Sequence, residues 1–154
     1  MMMEKKILEE MVDISLQDSG YYEEREIDIK PIFEMYNKKG YSYYSFQVEF
    51  MKKYGNLEIH YKHPIWNDDM IIRLDPIKAQ KTLTMDVVDE YNEFLRDELL
   101  IIGDIDKEDI TIFLSKSGRF YGAYDDCIIN WGNDFEKMLS DIFQGKKGEL
   151  LIID

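Results

Sequence analysis

Apolar residues recur along this chain with two different periods. From Glu4 to about Gln17, Ile7, Leu8, Met11 and Ile14, with Val12, fall at helical spacing, and Gly20 follows as a stop. Asp28 ahead of Pro31, then Ile32, Phe33 and Tyr36 before Gly40, predicts a shorter second helix with proline in its first turn, where no N–H is needed. Phe46, Phe50, Met51 and Tyr54, closed by Gly55, predict a third.

The period then shortens. Leu57 to Tyr61 alternates apolar and polar, Met70 to Leu74 is a second short run, and Asp75-Pro76 ends the pair, so both read as strands. A helix is predicted from about Thr84 to Glu98, followed by the strand Leu99 to Ile102 and a break at Gly103. Ile110 to Leu114 pairs through Ser117-Gly118 with Phe120-Tyr121 as a hairpin, and Cys127 to Trp131 supplies another strand. The last helix has Asn133 as a candidate cap, Glu136 three residues on, and Phe135, Met138, Leu139, Ile142 and Phe143 on one stripe before Gly145. Helices at the start, strands in the middle, one helix inserted and one appended define an α+β fold: a mostly antiparallel mixed sheet with N-terminal, inserted and C-terminal helices packed on it.

Composition adds a constraint. With 45% hydrophobic and 14% aromatic residues the chain can build a core, so its net charge of −13 belongs on a folded surface and not in a disordered tail. Residues 1–50 carry 11 acids against 6 bases, 51–100 carry 10 against 7, and 101–154 carry 11 against 6, so no charge shift marks a boundary and one domain over 1–154 is expected. Such a surface repels nucleic acid and anionic membranes and attracts basic partners. The opening methionines lead into Glu4-Lys5-Lys6 with no apolar signal-peptide core, and no apolar run reaches the ~20 residues of a membrane span, so a cytoplasmic protein is expected.

The sharpest charge pattern lies in the inserted helix. At roughly 100° per residue, Asp86, Asp89, Glu90, Glu93 and Asp97 fall within about a 100° arc, opposite Val87, Val88, Tyr91, Phe94 and Leu95. Such a stripe reads first as a solvated face; the lack of interleaved lysine is what raises the alternative, a docking face for a basic partner. Asp104 and Asp106, in the acidic stretch after Gly103, join it as candidate partner-binding residues.

Catalytic readings fare worse. Asp104-x-Asp106 after an apolar strand has the spacing of aspartyl-nucleophile phosphatases, but Lys107 and Glu108 follow and the chain is short. As a calcium loop the segment has Asp109 where glycine is required. His60 and His63 lack further ligands at recognisable spacing and are expected to be exposed; Cys127, in an apolar run, is expected to be a buried thiol. Ser117-Gly118 is turn chemistry. Tyr41, Tyr43 and Tyr44 could stack on bases, but without a basic groove they belong to the core or to a protein interface. No catalytic residue, metal or cofactor is expected.

Several marks, taken in order, resemble the third group of the SUKH superfamily of bacterial immunity proteins. They are Gly20-Tyr21-Tyr22-Glu23-Glu24-Arg25, Phe50 and Tyr54-Gly55 before Leu57, and Asp75-Pro76 with Ala79. Gly103, the Gly118, Phe120, Tyr121 hairpin, and Trp131-Gly132 leading into Phe135, Met138 and Leu139 complete the series. The resemblance spans about residues 5–145; Tyr21 stands where the family usually has Trp, and Asn133-Asp134 occupies a turn usually built of smaller residues. It implies a non-enzymatic cytoplasmic protein that binds and neutralises a protein toxin, commonly a basic nuclease domain, with the matched positions structural. The alternative is a general interaction or regulatory module on the same scaffold with a non-toxin partner.

Overall fold

Seven strands, hydrogen-bonded in the order in which they occur, form one sheet in the computed structural model, which describes residues 2–146 and 148–153. Met1, Lys147 and Asp154, within the domain expected over 1–154, lie outside the described residues. The strands are β1 (Glu58–Lys62), β2 (Asp69–Arg73), β3 (Leu99–Ile105), β4 (Ile110–Ser115), β5 (Phe120–Tyr124), β6 (Cys127–Gly132) and β7 (Glu149–Ile152). Every neighbouring pair is antiparallel. β7 was not predicted: four residues at the chain's end, they give too short a pattern to separate a strand from a tail.

Burial along the strands shows where the helices must lie. β4 is buried at all six positions and β3 at six of its seven, so both faces of the sheet's centre are covered, whereas edge strand β1 alternates. The covering helices are α1 (Met2–Asp18), α2 (Lys30–Lys39), α3 (Ser45–Tyr54), α4 (Pro76–Ala79, continued by a 3-10 turn over Gln80–Thr82), α5 (Met85–Leu95) and α6 (Phe135–Gln144). Tyr61 of β1 meets Phe143 of α6 with ring centroids 5.2 Å apart, which puts α6 on the sheet face that carries Tyr61, Ile110 and Ile129. Tyr91 of α5 lies edge-on to Phe113 at 6.3 Å, on the opposite face. The α+β fold is therefore as expected, with helices on both sides of an antiparallel meander.

Side chains reach from the helices to the backbone of the sheet and loops. The buried Tyr36 hydroxyl donates to the Ile101 carbonyl, and burial holds its phenol proton well above the ordinary range. Gln47 Nε2 donates to Leu114 O at 2.9 Å. The Arg25 guanidinium donates to Lys53 O at 2.6 Å and Gly55 O at 2.8 Å, tying the 21–29 connection to the end of α3. Gly103 sits at a register shift in β3 where a Cβ would lie 2.0 Å from the Arg73 carbonyl oxygen, so β2 can pass this closely only against glycine.

Five local expectations change. The strand does not break at Gly103 but continues through it, with a register shift, to Ile105, because glycine lets β2 pass close enough to keep the pairing. In α1 the buried line is Val12 and Leu16 with half-buried Leu8, while Ile7, Met11 and Ile14 face solvent. Two apolar lines at helical spacing coexist there, and periodicity does not say which one meets α6 and β1. The inserted helix stops at Leu95, because Arg96 turns left-handed at φ 54° and the chain leaves the helix axis before Asp97. Asp134, not Asn133, caps α6 by accepting the Lys137 N–H at 3.0 Å. Cys127 is half-buried, with Sγ 3.7 Å from Asp126 Oδ1, because it opens β6 beside a turn and not in the strand's covered middle.

Candidate acidic docking surface

A meander fixes which connections share an end. The links β1–β2 (63–68), β3–β4 (106–109) and β5–β6 (125–126) all leave the sheet at one end, and the links around Asp97 and Ser117 lie at the other. The first end carries most of the acidic turn residues. Between it and α5 lies an open depression of about 720 Å³. Its carboxylates are Glu90, Asp104, Asp106, Asp109, Asp125 and Asp126, against the cations Arg73 and Lys107.

Each wall has a local cause. Asp109 and Asp125 are left-handed, at φ 55° and 52°, a conformation that aspartate tolerates better than most side chains, so acidity and tight turns coincide here. Tyr91 of α5 donates its hydroxyl to Asp125 O at 2.7 Å and holds the β5–β6 turn against the helix. Arg73 Nε and Nη2 each donate at 3.0 Å to one oxygen of Asp104, and Asp106 lies 3.9 Å away. The hydrogen bond to Asp104 holds the Arg73 proton above its ordinary range, so that cation is matched by its own partner and most of the remaining carboxylates face water. Lys107 Nζ donates to Asp69 O at 3.0 Å.

Of the residues singled out in the sequence, the structure brings Glu90, Asp104 and Asp106 into this depression. Asp86, Asp89 and Glu93 are exposed on α5 but do not line it. Asp97 is off the stripe altogether. Its carboxylate accepts the backbone N–H of Glu98 at 3.0 Å and of Ser117 at 3.2 Å, and the Ser117 hydroxyl, pinning the β4–β5 hairpin at the far end of the sheet. Asp109, Asp125 and Asp126 were missed, although pairing consecutive strands as a meander would have placed their turns side by side.

His60 is exposed as expected, but His63 is not: its side chain is 11% accessible. Its Nδ1 accepts the backbone N–H groups of Ile65 at 3.1 Å and Trp66 at 3.2 Å, and its Nε2 lies 3.4 Å from Glu108 Oε1. That wiring assigns the ring proton to Nε2. Loop closure, invisible to strand periodicity, is what buries it.

Among the described residues no group of three or more His, Cys, Asp or Glu is arranged to hold a metal ion, and no helix is long and apolar enough to cross a membrane. What the depression offers chemically is negative potential on a preorganised end of a sheet, a means of drawing in positive charge. The class of protein follows from comparison, which points to immunity proteins. The chain belongs to the SUKH-3 immunity protein family, whose family model matches residues 8–145. No curated protein and no solved structure matches it.

Proposed function

We propose that this chain is a cytoplasmic, non-enzymatic immunity protein that binds a cognate protein toxin, a basic nuclease domain, and neutralises it by occlusion. Family membership supplies the class, and the observation that carries the mechanism is the acidic end: among the described residues, six carboxylates around one depression with two cations among them. A nuclease holds phosphate in a cationic groove, and an acidic surface seated there excludes the substrate by charge and by bulk. Glu90, Asp104 and Asp106 then act from the depression, with Asp86, Asp89 and Glu93 extending the field along α5.

The test is to search the neighbouring genes for a toxin domain and to co-express it with this chain. Rescue of growth, co-purification, and an association rate that falls steeply as salt shortens the screening length to about 8 Å at 0.15 M are expected. Neither rescue nor co-purification would sink the reading.

A further inference from the structure

The same end of the sheet carries an apolar cleft that the acidic depression does not explain. α6 stops at Gln144, and the chain turns away at Gly145, whose Cβ position lies 2.8 Å from the Pro64 ring. Beyond it a cleft of about 340 Å³ opens between the sheet and the β1–β2 loop, narrow enough that the sheet residues on its floor stay buried. Ile105, Ile110, Ile129 and Trp131 line it from the sheet. Over it stands the β1–β2 loop, with Ile65 77% and Trp66 70% accessible.

Exposed as it is, Trp66 is held in place. Its indole stacks on the His63 imidazole at 4.3 Å, its backbone N–H donates to Nδ1 of the same ring, and that ring is tied to Glu108 on the neighbouring turn. Leu150 and Ile152 of β7 pair with Ile129 and Cys127, so they share the cleft's face, and they too are 46% and 56% accessible. Exposed apolar side chains at the rim of a pocket mark an interaction site, and a fixed tryptophan beside a pocket is the residue type that dominates interface energies.

We propose that this cleft receives an apolar side chain which the partner presents between lysines or arginines. The charge around it selects the occupant. Glu108 lies within the cleft with Lys146 as the one lining lysine or arginine among the described residues, and the cleft shares Ile105, Ile110 and Tyr124 with the acidic depression, so Asp106, Asp109, Asp125 and Asp126 stand just across the sheet's end. An acidic peptide is repelled there, and a second copy would bring its own −13 against the same carboxylates. A volume near the lower end of the roughly 300–1,000 Å³ of small-ligand sites suits one or two side chains. The identity of the partner rests on the immunity reading; its chemistry rests on the cleft.

Both tryptophans of the chain line the cleft, so their two indole N–H signals in a nitrogen-15 spectrum of the full chain report on it alone. The probe is the peptide Lys-Lys-Leu-Phe-Lys-Lys, with Lys-Lys-Ser-Ser-Lys-Lys and Glu-Glu-Leu-Phe-Glu-Glu as controls. Saturable shifts of both indoles with the first peptide only, and loss of the remaining Trp131 response in Trp66→Ala, are expected. Equal shifts with the serine peptide, or none with the first, overturn the proposal, as does a concentration-dependent dimer that Trp66→Ala abolishes. Against a toxin domain that the chain neutralises on co-expression, Trp66→Ala is expected to weaken binding at least tenfold. Equal binding by both chains refutes the cleft and leaves immunity standing; peptide binding without toxin binding refutes that toxin as the partner and leaves the cleft standing.

Discussion

His63 Nε2 lies 3.4 Å from Glu108 Oε1, and through this contact the β1–β2 loop is fastened to the β3–β4 turn. The partners are 11% and 30% accessible, so the contact is partly shielded, and the imidazole's other nitrogen holds two backbone N–H groups of the loop. Replacing His63 by alanine removes three acceptor or donor contacts at once. A net hydrogen bond contributes about 1 kcal/mol, so His63→Ala should destabilise the domain by about 1–3 kcal/mol. In urea unfolding the midpoint should fall with an unchanged slope, and amide exchange should quicken first at Ile65 and Trp66. Exchange that quickens uniformly instead would show that the loop was not the part being held.

The two acidic surfaces can be told apart by comparing variants of equal charge change. Neutralising the depression with Asp106→Asn, Asp125→Asn and Asp126→Asn keeps side-chain shape and, at Asp125, a residue that accepts the left-handed backbone. Neutralising the helix with Asp86→Asn, Asp89→Asn and Glu93→Gln removes the same three charges from α5. The first set should slow association with the toxin domain by about tenfold and flatten its salt dependence, and the second by less, because field at the proposed docking end would steer encounter more than field along a flank. Stopped-flow rates at two salt concentrations measure both. A larger effect from the helix set would move the docking face to α5.

How much of this was legible in the sequence follows from what each signal reports. Strands and helices with strong periodicity were placed correctly because burial on one face is written into every second or fourth residue; α6, with Phe135, Met138, Leu139, Ile142 and Phe143 all buried, is the clearest case. In α1 periodicity found a helix but not its inner face, since Ile7 and Val12 belong to rival apolar lines. The stripe on α5 lost Asp97 because a single left-handed residue, Arg96, redirects the chain, and backbone φ leaves no pattern in hydropathy. The acidic depression was half visible: Asp104 and Asp106 were noticed as a run, but their neighbours Asp125 and Asp126 come from a turn about twenty residues away that only the strand order brings alongside. His63 and Trp66 gave no usable signal, because a loop that folds over a histidine leaves no repeat.

Gly122 connects the core to the cleft. A Cβ there would lie 2.4 Å from Trp131 Cη2 and 3.0 Å from the Ile110 side chain, so the indole lies directly over the glycine. Trp131 is only 4% accessible and cannot retreat into solvent without opening the cleft's floor. Overpacking of this sort costs about 1–3 kcal/mol. Gly122→Ala should lower the unfolding midpoint accordingly and shift the Trp131 indole signal, whereas a variant as stable as the parent would show that the ring has room to move.

Where α1 meets α6 the acidity acts on the fold itself. Partial burial of Glu136 is the main cause that raises its pKa above the usual carboxylate range; the charges of Asp13, Asp134 and Glu9 add to it, and Lys53 opposes them. Glu136 also lies in the first turn of α6, where the helix end favours negative charge, but the net direction shows that desolvation and its acidic neighbours prevail. The folded chain therefore holds this proton more tightly than the unfolded chain does. Its contribution to stability is complete below the ordinary glutamate pKa of about 4.3 and is lost as pH rises through the higher folded value. Glu136→Gln removes that titration, so the difference in stability between variant and parent should move in the variant's favour as pH rises from about 4 to 7. Added salt should reduce the Coulombic part of the difference, since the group is largely exposed. Thermal melts of both chains at pH 4, 5.5 and 7 measure it, and a difference that stays constant across the range would mean that Glu136 titrates alike in the folded and unfolded chains.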